Sequence, residues 1–130
     1  MQDAMRKIGF FLLALACAPA RAEWVEVAPA DDDLGTFYID PASIDSFGAS
    51  MRWAWQMRDL KKPAEDGFVS YAGLVEFDCQ GQRTRPIQTY FYAGHRASGE
   101  VVRKTGESVK WTPVEPGTAA DRVLKFACAH

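Results

Sequence analysis

Apolar and polar residues alternate with a period of two along most of the chain, the pattern of strands with one dry and one wet face. The clearest run covers residues 50–59, where Met51, Trp53, Trp55 and Met57 point one way and Arg52, Ala54, Gln56 and Arg58 the other. A second long run, residues 69–79, keeps Val69, Tyr71, Gly73, Val75, Phe77 and Cys79 in one register. Shorter strands are predicted over 24–27, 36–39, 85–92 and 100–104. Polar segments with Pro and Gly separate them: 30–35, Asp40-Pro41, 61–67, Gln80-Gly81-Gln82 and 94–99. Pro86 supplies no ladder N–H, which places it at an edge, a bulge or a strand's start.

The period changes once, near the C-terminus. After Pro116-Gly117, Thr118 is a candidate N-cap with Asp121 near the positive helix end, and Val123, Leu124, Ala127 and Cys128 share one helical face. That face needs an apolar surface to cover. Met51, Trp53, Trp55 and Met57 are expected beneath it, with Arg52 and Arg58 exposed. The predicted fold class is α+β: a single antiparallel β-sheet of about six strands with a C-terminal α-helix packed on one face.

The first residues have a different character. Arg6 and Lys7 precede the apolar run 8–16, and Ala20-Arg21-Ala22 follows Pro19. A charged start, a short apolar middle and a small-x-small end define a secretory signal peptide, so residues 1–22 are read as signal and 23–130 as one mature domain. The apolar run is far short of the roughly 20 residues that cross a bilayer, so no membrane span is expected. Cys17 offers an alternative, because Ala14-Leu15-Ala16-Cys17 loosely follows the pattern preceding a lipidated cysteine and would make a lipid anchor.

Export also decides how the cysteines are read. With Cys17 in the signal, Cys79 and Cys128 remain, and a single pair in an oxidising compartment is a disulfide. A loop of about 50 residues closed by that bond corresponds to roughly 4 kcal/mol on the chain-entropy model. The bond would pin the helix to the strand carrying Cys79. No CxxC or four-ligand zinc pattern is present.

The whole chain carries a formal charge of −2, and losing Arg6, Lys7, Arg21 and Asp3 with the signal makes it −4. That balance gives no basic face for nucleic acid. Charge is uneven, however. Residues 23–45 hold seven acidic side chains and no Lys or Arg, whereas residues 83–110 carry Arg83, Arg85, Arg96, Arg103, Lys104 and Lys110 against Glu100 and Glu107. Arg83, Arg85, Arg103 and Lys104, with Tyr90 and Tyr92 interleaved, form a candidate partner-binding surface for a protein or an anionic glycan. The competing reading is that the two regions are neighbours and neutralise each other.

Catalytic chemistry is poorly represented. Asp31-Asp32-Asp33 lacks the alternate spacing of a calcium loop and reads as a solvated turn. His95 lies in a predicted hairpin loop with no nucleophile elbow or HExxH motif. No catalytic residue, metal or cofactor is assigned, and the chain is read as a non-enzyme.

Several landmarks fall in a recognisable order: Trp24 at the start of the mature chain, Tyr38-Ile39-Asp40 with Ser43-Ile44, Trp53 in a long strand, Asp78-Cys79, and residues 111–118 leading to Cys128. In these the chain resembles the surface-adhesin protein E family of bacterial envelope proteins. The resemblance implies about six antiparallel strands with a C-terminal helix, an envelope location and, for the protein that names the family, adhesion to host matrix and plasma proteins. The expectation is therefore a binding protein of the periplasm or outer-membrane surface of a Gram-negative bacterium. The alternative is a periplasmic enzyme or envelope assembly factor with no recognisable motif.

Overall fold

A computed structural model describes residues 23–32 and 35–130. The signal segment, Cys17 and Asp33 lie outside the described residues. Strands β1 (Val25–Pro29), β2 (Gly35–Ile39), β3 (Asp45–Phe47), β4 (Met51–Leu60), β5 (Ser70–Asp78), β6 (Arg83–Tyr92), β7 (Val101–Thr105) and β8 (Thr112–Pro113) precede one helix, α1 (Ala119–Ala129). All pairings are antiparallel, in the order β1-β2-β4-β5-β6-β7. The short β3 continues the edge of β4 beyond β2, and β8 continues that of β6 beyond β7, so the curled sheet is six strands across.

Local chemistry explains the joints. Asp40 accepts the Ala42 N–H at 3.1 Å and starts a single 3-10 turn, Pro41–Ser43, where proline costs no hydrogen bond. Between β5 and β6 the register slips: Leu74 faces Gln88 but Val75 faces Pro86, leaving Ile87 as the extra residue of a bulge beside the proline. Gly73 lies at the same crossing, where a Cβ would collide with the Gln88 carbonyl. At the helix start Gly117 takes a φ of +82°, and Thr118 Oγ1 accepts the Asp121 N–H at 3.1 Å. Asp121 returns the contact by accepting the Gly117 N–H, and that bond with Lys125 beside it holds the Asp121 carboxyl below its ordinary pKa.

The helix lies over β1, β2 and β4 and reaches β5. Val123, Leu124 and Ala127 pack on Ile39, Ala54, Phe77 and Val114, with Val75, Phe37 and Phe126 around them. Fully burying one such aliphatic or aromatic side chain contributes about 1.5–3 kcal/mol. The Cys79–Cys128 disulfide closes the end of this layer, with Cα atoms 5.8 Å apart. Asp31 caps it from outside by accepting the Ala119 N–H at 2.9 Å.

The expected face of β4 is reversed. The helix covers the side of Ala54, not that of Met51, Trp53, Trp55 and Met57. Trp53 is 38% exposed, and Met57, although fully buried, is buried on the helix-free side. Arg52 and Arg58 are half-buried instead of exposed. The reason is steric: a helix can approach a sheet closely over Ala54, whereas two adjacent tryptophans would hold it off. The arginines lie toward the two ends of the strand, where their stems cover apolar surface; Arg58 spans Phe37 and reaches Asp32 at 3.0 Å.

Candidate binding surface

Strand register sets out the helix-free face as rows across β4, β5 and β6. They run Met51–Asp78–Arg83, Trp53–Glu76–Arg85, Trp55–Leu74–Gln88, Met57–Ala72–Tyr90 and Asp59–Ser70–Tyr92. Each row is a cross-strand set on one side of the pleat, so its members touch.

The first two rows form an ion-pair and aromatic network. Glu76, 5% exposed, accepts the Trp53 indole N–H at 2.7 Å through one oxygen and the Arg85 Nε–H at 3.0 Å through the other. Asp78 accepts from Arg83 at 2.8 Å and from the Gly81 N–H of the β5–β6 turn at 2.9 Å. The Gly81 N–H and then Arg83 pull the Asp78 carboxyl below its ordinary pKa. Trp111, just before β8, lies against both guanidiniums, 4.4 Å from each to the ring centroid. Trp53 carries Phe47 edge-on at 5.3 Å, and Phe47 is itself exposed.

The middle rows are apolar with polar tips. Trp55 and Tyr90 stack with centroids 6.4 Å apart, and Gln88 donates to the Tyr90 hydroxyl at 2.6 Å. The last row is closed by the 94–99 loop. Ser70 Oγ donates to the Gly94 carbonyl and accepts the Ala97 N–H, while Asp59 accepts the Arg96 N–H at 2.9 Å and faces the His95 ring at 3.0 Å. Arg96 and Ala97 adopt positive φ to make these contacts. Burial raises the Tyr92 phenol above its ordinary pKa, so it stays neutral.

Of the residues singled out in the sequence, Arg83, Arg85, Tyr90 and Tyr92 come together on this face. Lys104 joins them opposite Tyr90. Arg103 does not: it pairs with Phe91 on the helix side, stacks on that ring at 4.2 Å and bonds Asp66 at 2.7 Å. The acidic segment 23–45 is not what compensates these arginines; Asp78, Glu76 and Asp66 are. Glu76 belongs to this network and was not singled out, since a lone acid in a strand gives no sequence signal; Trp53, expected beneath the helix, and Trp111, read only as a landmark, join it here. Among the described residues no group of three or more His, Cys, Asp or Glu side chains could hold a metal ion, and no helix is long and apolar enough to cross a membrane.

Residues 24–129 match the family model of Surface-adhesin protein E. Among solved structures, crystal form II of Haemophilus influenzae protein E is similar with a TM-score of 0.63 at 16% identity, over 85% of this chain and 91% of that one. A second Haemophilus influenzae protein E structure gives 0.61 at 16% identity, over 85% and 87%. Protein E from non-typeable Haemophilus influenzae gives 0.59 at 16% identity, over 86% and 79%. At this identity the likeness carries the fold. No curated protein matches the sequence.

Proposed function

The chain belongs to the Surface-adhesin protein E family, and from that premise we propose that it is a non-enzymatic binding protein of the cell envelope whose macromolecular partner docks on the helix-free face. One observation carries the reading. The helix α1 covers one side of the sheet and leaves Trp53, Trp55, Tyr90 and Trp111 partly exposed on the other, among arginines. Tryptophan, tyrosine and arginine are the residue types that dominate binding energy at interfaces. Arg83 and Arg85 are already bonded to Asp78 and Glu76, so the face offers aromatic surface and held donors more than unpaired charge. That favours a protein segment over an anionic glycan. Adhesion to host proteins, the role attached to the family's name, is the form of binding this face suits.

The test is solid-phase capture of purified matrix and plasma proteins, with heparin as the anionic glycan, by the exported protein. A Tyr90→Ala/Lys104→Glu variant should lose at least about tenfold in capture, the equivalent of 1.4 kcal/mol, with an unchanged circular-dichroism spectrum. Undiminished capture would remove the face from consideration. In the same reading residues 1–22 are a signal peptide that delivers the domain to the periplasm or outer-membrane surface of a Gram-negative bacterium. Intact mass of protein recovered from such an envelope should correspond to a chain beginning at Glu23; an acylated Cys17 would replace this with the lipid-anchored form.

A further inference from the structure

At the end of the open face nearest the 94–99 loop, the sheet holds a hollow of about 370 Å³ lined by Trp24, Trp55, Tyr92, Asp40, Ala72 and Ala97. Three aromatic side chains and one carboxylate converge there over the small floor of Ala72. Backbone contacts set the geometry: the Asp40 N–H donates to the Trp55 carbonyl at 3.0 Å, which places the carboxylate beside that indole. Ala97 is held in the wall by its N–H bond to Ser70 Oγ at 2.9 Å. We propose that this hollow takes a primary alkylammonium group, the end of a lysine side chain on the partner protein.

Three features specify that ligand. Aromatic faces carry negative potential and attract cations, with tryptophan the strongest. Asp40 is 8% exposed, and its carboxylate accepts one hydrogen bond, from the Ala42 N–H to Oδ1; Oδ2 accepts none from the described residues. Left unpaired by them and keeping a solvent-accessible edge, that oxygen is free to accept from a charged N–H donor, and a primary ammonium supplies one where a quaternary ammonium has none. The charge nearby is also of the right sign. Glu23 and Asp40 line the adjoining hollow and Glu26 lies opposite Tyr38, whereas Arg96, the cation of the loop, is stacked on the Tyr38 ring at 4.7 Å. The inference rests on the open-face reading and deepens it by naming the chemistry taken at one end.

The probe is n-butylammonium, titrated into ¹⁵N-labelled exported protein while the tryptophan indole N–H signals are followed. Trp24 and Trp55 should shift saturably and Trp111 should not. Neutral 1-butanol should bind at least about tenfold more weakly, and tetramethylammonium more weakly than butylammonium. Asp40→Asn keeps an oxygen for the Ala42 N–H and should weaken binding about tenfold, as expected for a lost charge-assisted bond. Trp24→Ala should weaken it too, with Trp24→Phe recovering part. Equal response to 1-butanol, no saturable shift, or indifference to Asp40→Asn would overturn the proposal. Tighter binding of tetramethylammonium would overturn the lysine assignment in favour of a choline-like headgroup. The titration needs no partner protein. Its failure would therefore remove the ammonium site while the capture experiment on Tyr90 and Lys104 still decided the open-face reading.

Discussion

Strand β4 presents Ala54 between Arg52 and Gln56 on one side and Trp53 and Trp55 on the other, and β5 presents Val75 and Phe77 against Leu74 and Glu76. On the first side α1 closes over Ala54, Ile39 and Phe77 and is bonded down at Cys128. On the second the larger apolar rings remain partly in water, braced by Glu76, Asp78 and their arginines. The more hydrophobic side of β4 is thus the uncovered one. Hydrophobicity marks both faces as capable of contact; side-chain size and the position of the cysteine decide which of them the helix takes. The other is left uncovered by the helix.

The comparison predicts that stability and binding separate by face. The largest effect is expected from Phe77→Ala under the helix, which removes a side chain 1% exposed and should cost about 3–5 kcal/mol. Chemical denaturation should register it as a fall in midpoint without a change in slope. Replacing both Cys79 and Cys128 by Ala should cost about 2–4 kcal/mol, because the unfolded chain regains the freedom of the closed loop. Thermal melts of the oxidised and reduced protein provide the check, and equal midpoints would mean the bond does not restrain α1. Thr118→Ala removes the cap of the same helix and should cost about 1 kcal/mol.

Much of this division was legible in the sequence, and the place where it was not is instructive. Ten-residue alternation over β4 and nine residues over β5 announce strands, since no helix places its apolar residues at every second position. The cap at Thr118 and the change of period locate α1. With Cys17 read as part of a signal, Cys79 and Cys128 were left as the one pair to bond. Alternation says that two faces differ but not which one meets the helix, so the tryptophans were assigned to the wrong side. Strands β3 and β8 contain three and two residues, all exposed, and leave no periodic trace. The hollow lined by Trp24, Asp40, Trp55, Ala72, Tyr92 and Ala97 is assembled from five separate segments, and only tertiary structure brings them together.

A smaller effect sharpens the account of the open face. Asp78 has a carboxyl pKa lowered from an ordinary 3.8 by the Gly81 N–H and by Arg83. A depressed pKa contributes stability that is full above the unfolded-state value and is lost as pH falls through the folded one. Denaturation midpoints measured between pH 6 and pH 2 should therefore fall on acidification, and Asp78→Asn should make that fall shallower. An identical pH dependence in the variant would show that the first row of the face is not held by this pair.

The separation of duties is tested most directly by hydroxyl-radical footprinting of the protein alone and in complex with a captured matrix or plasma protein. Oxidation of Trp53, Trp55, Tyr90 and Trp111 should drop in the complex, while Phe126 of α1 remains as reactive as before. Protection of Phe126 with unchanged labelling of the four open-face aromatics would place the partner on the helix side and contradict the account.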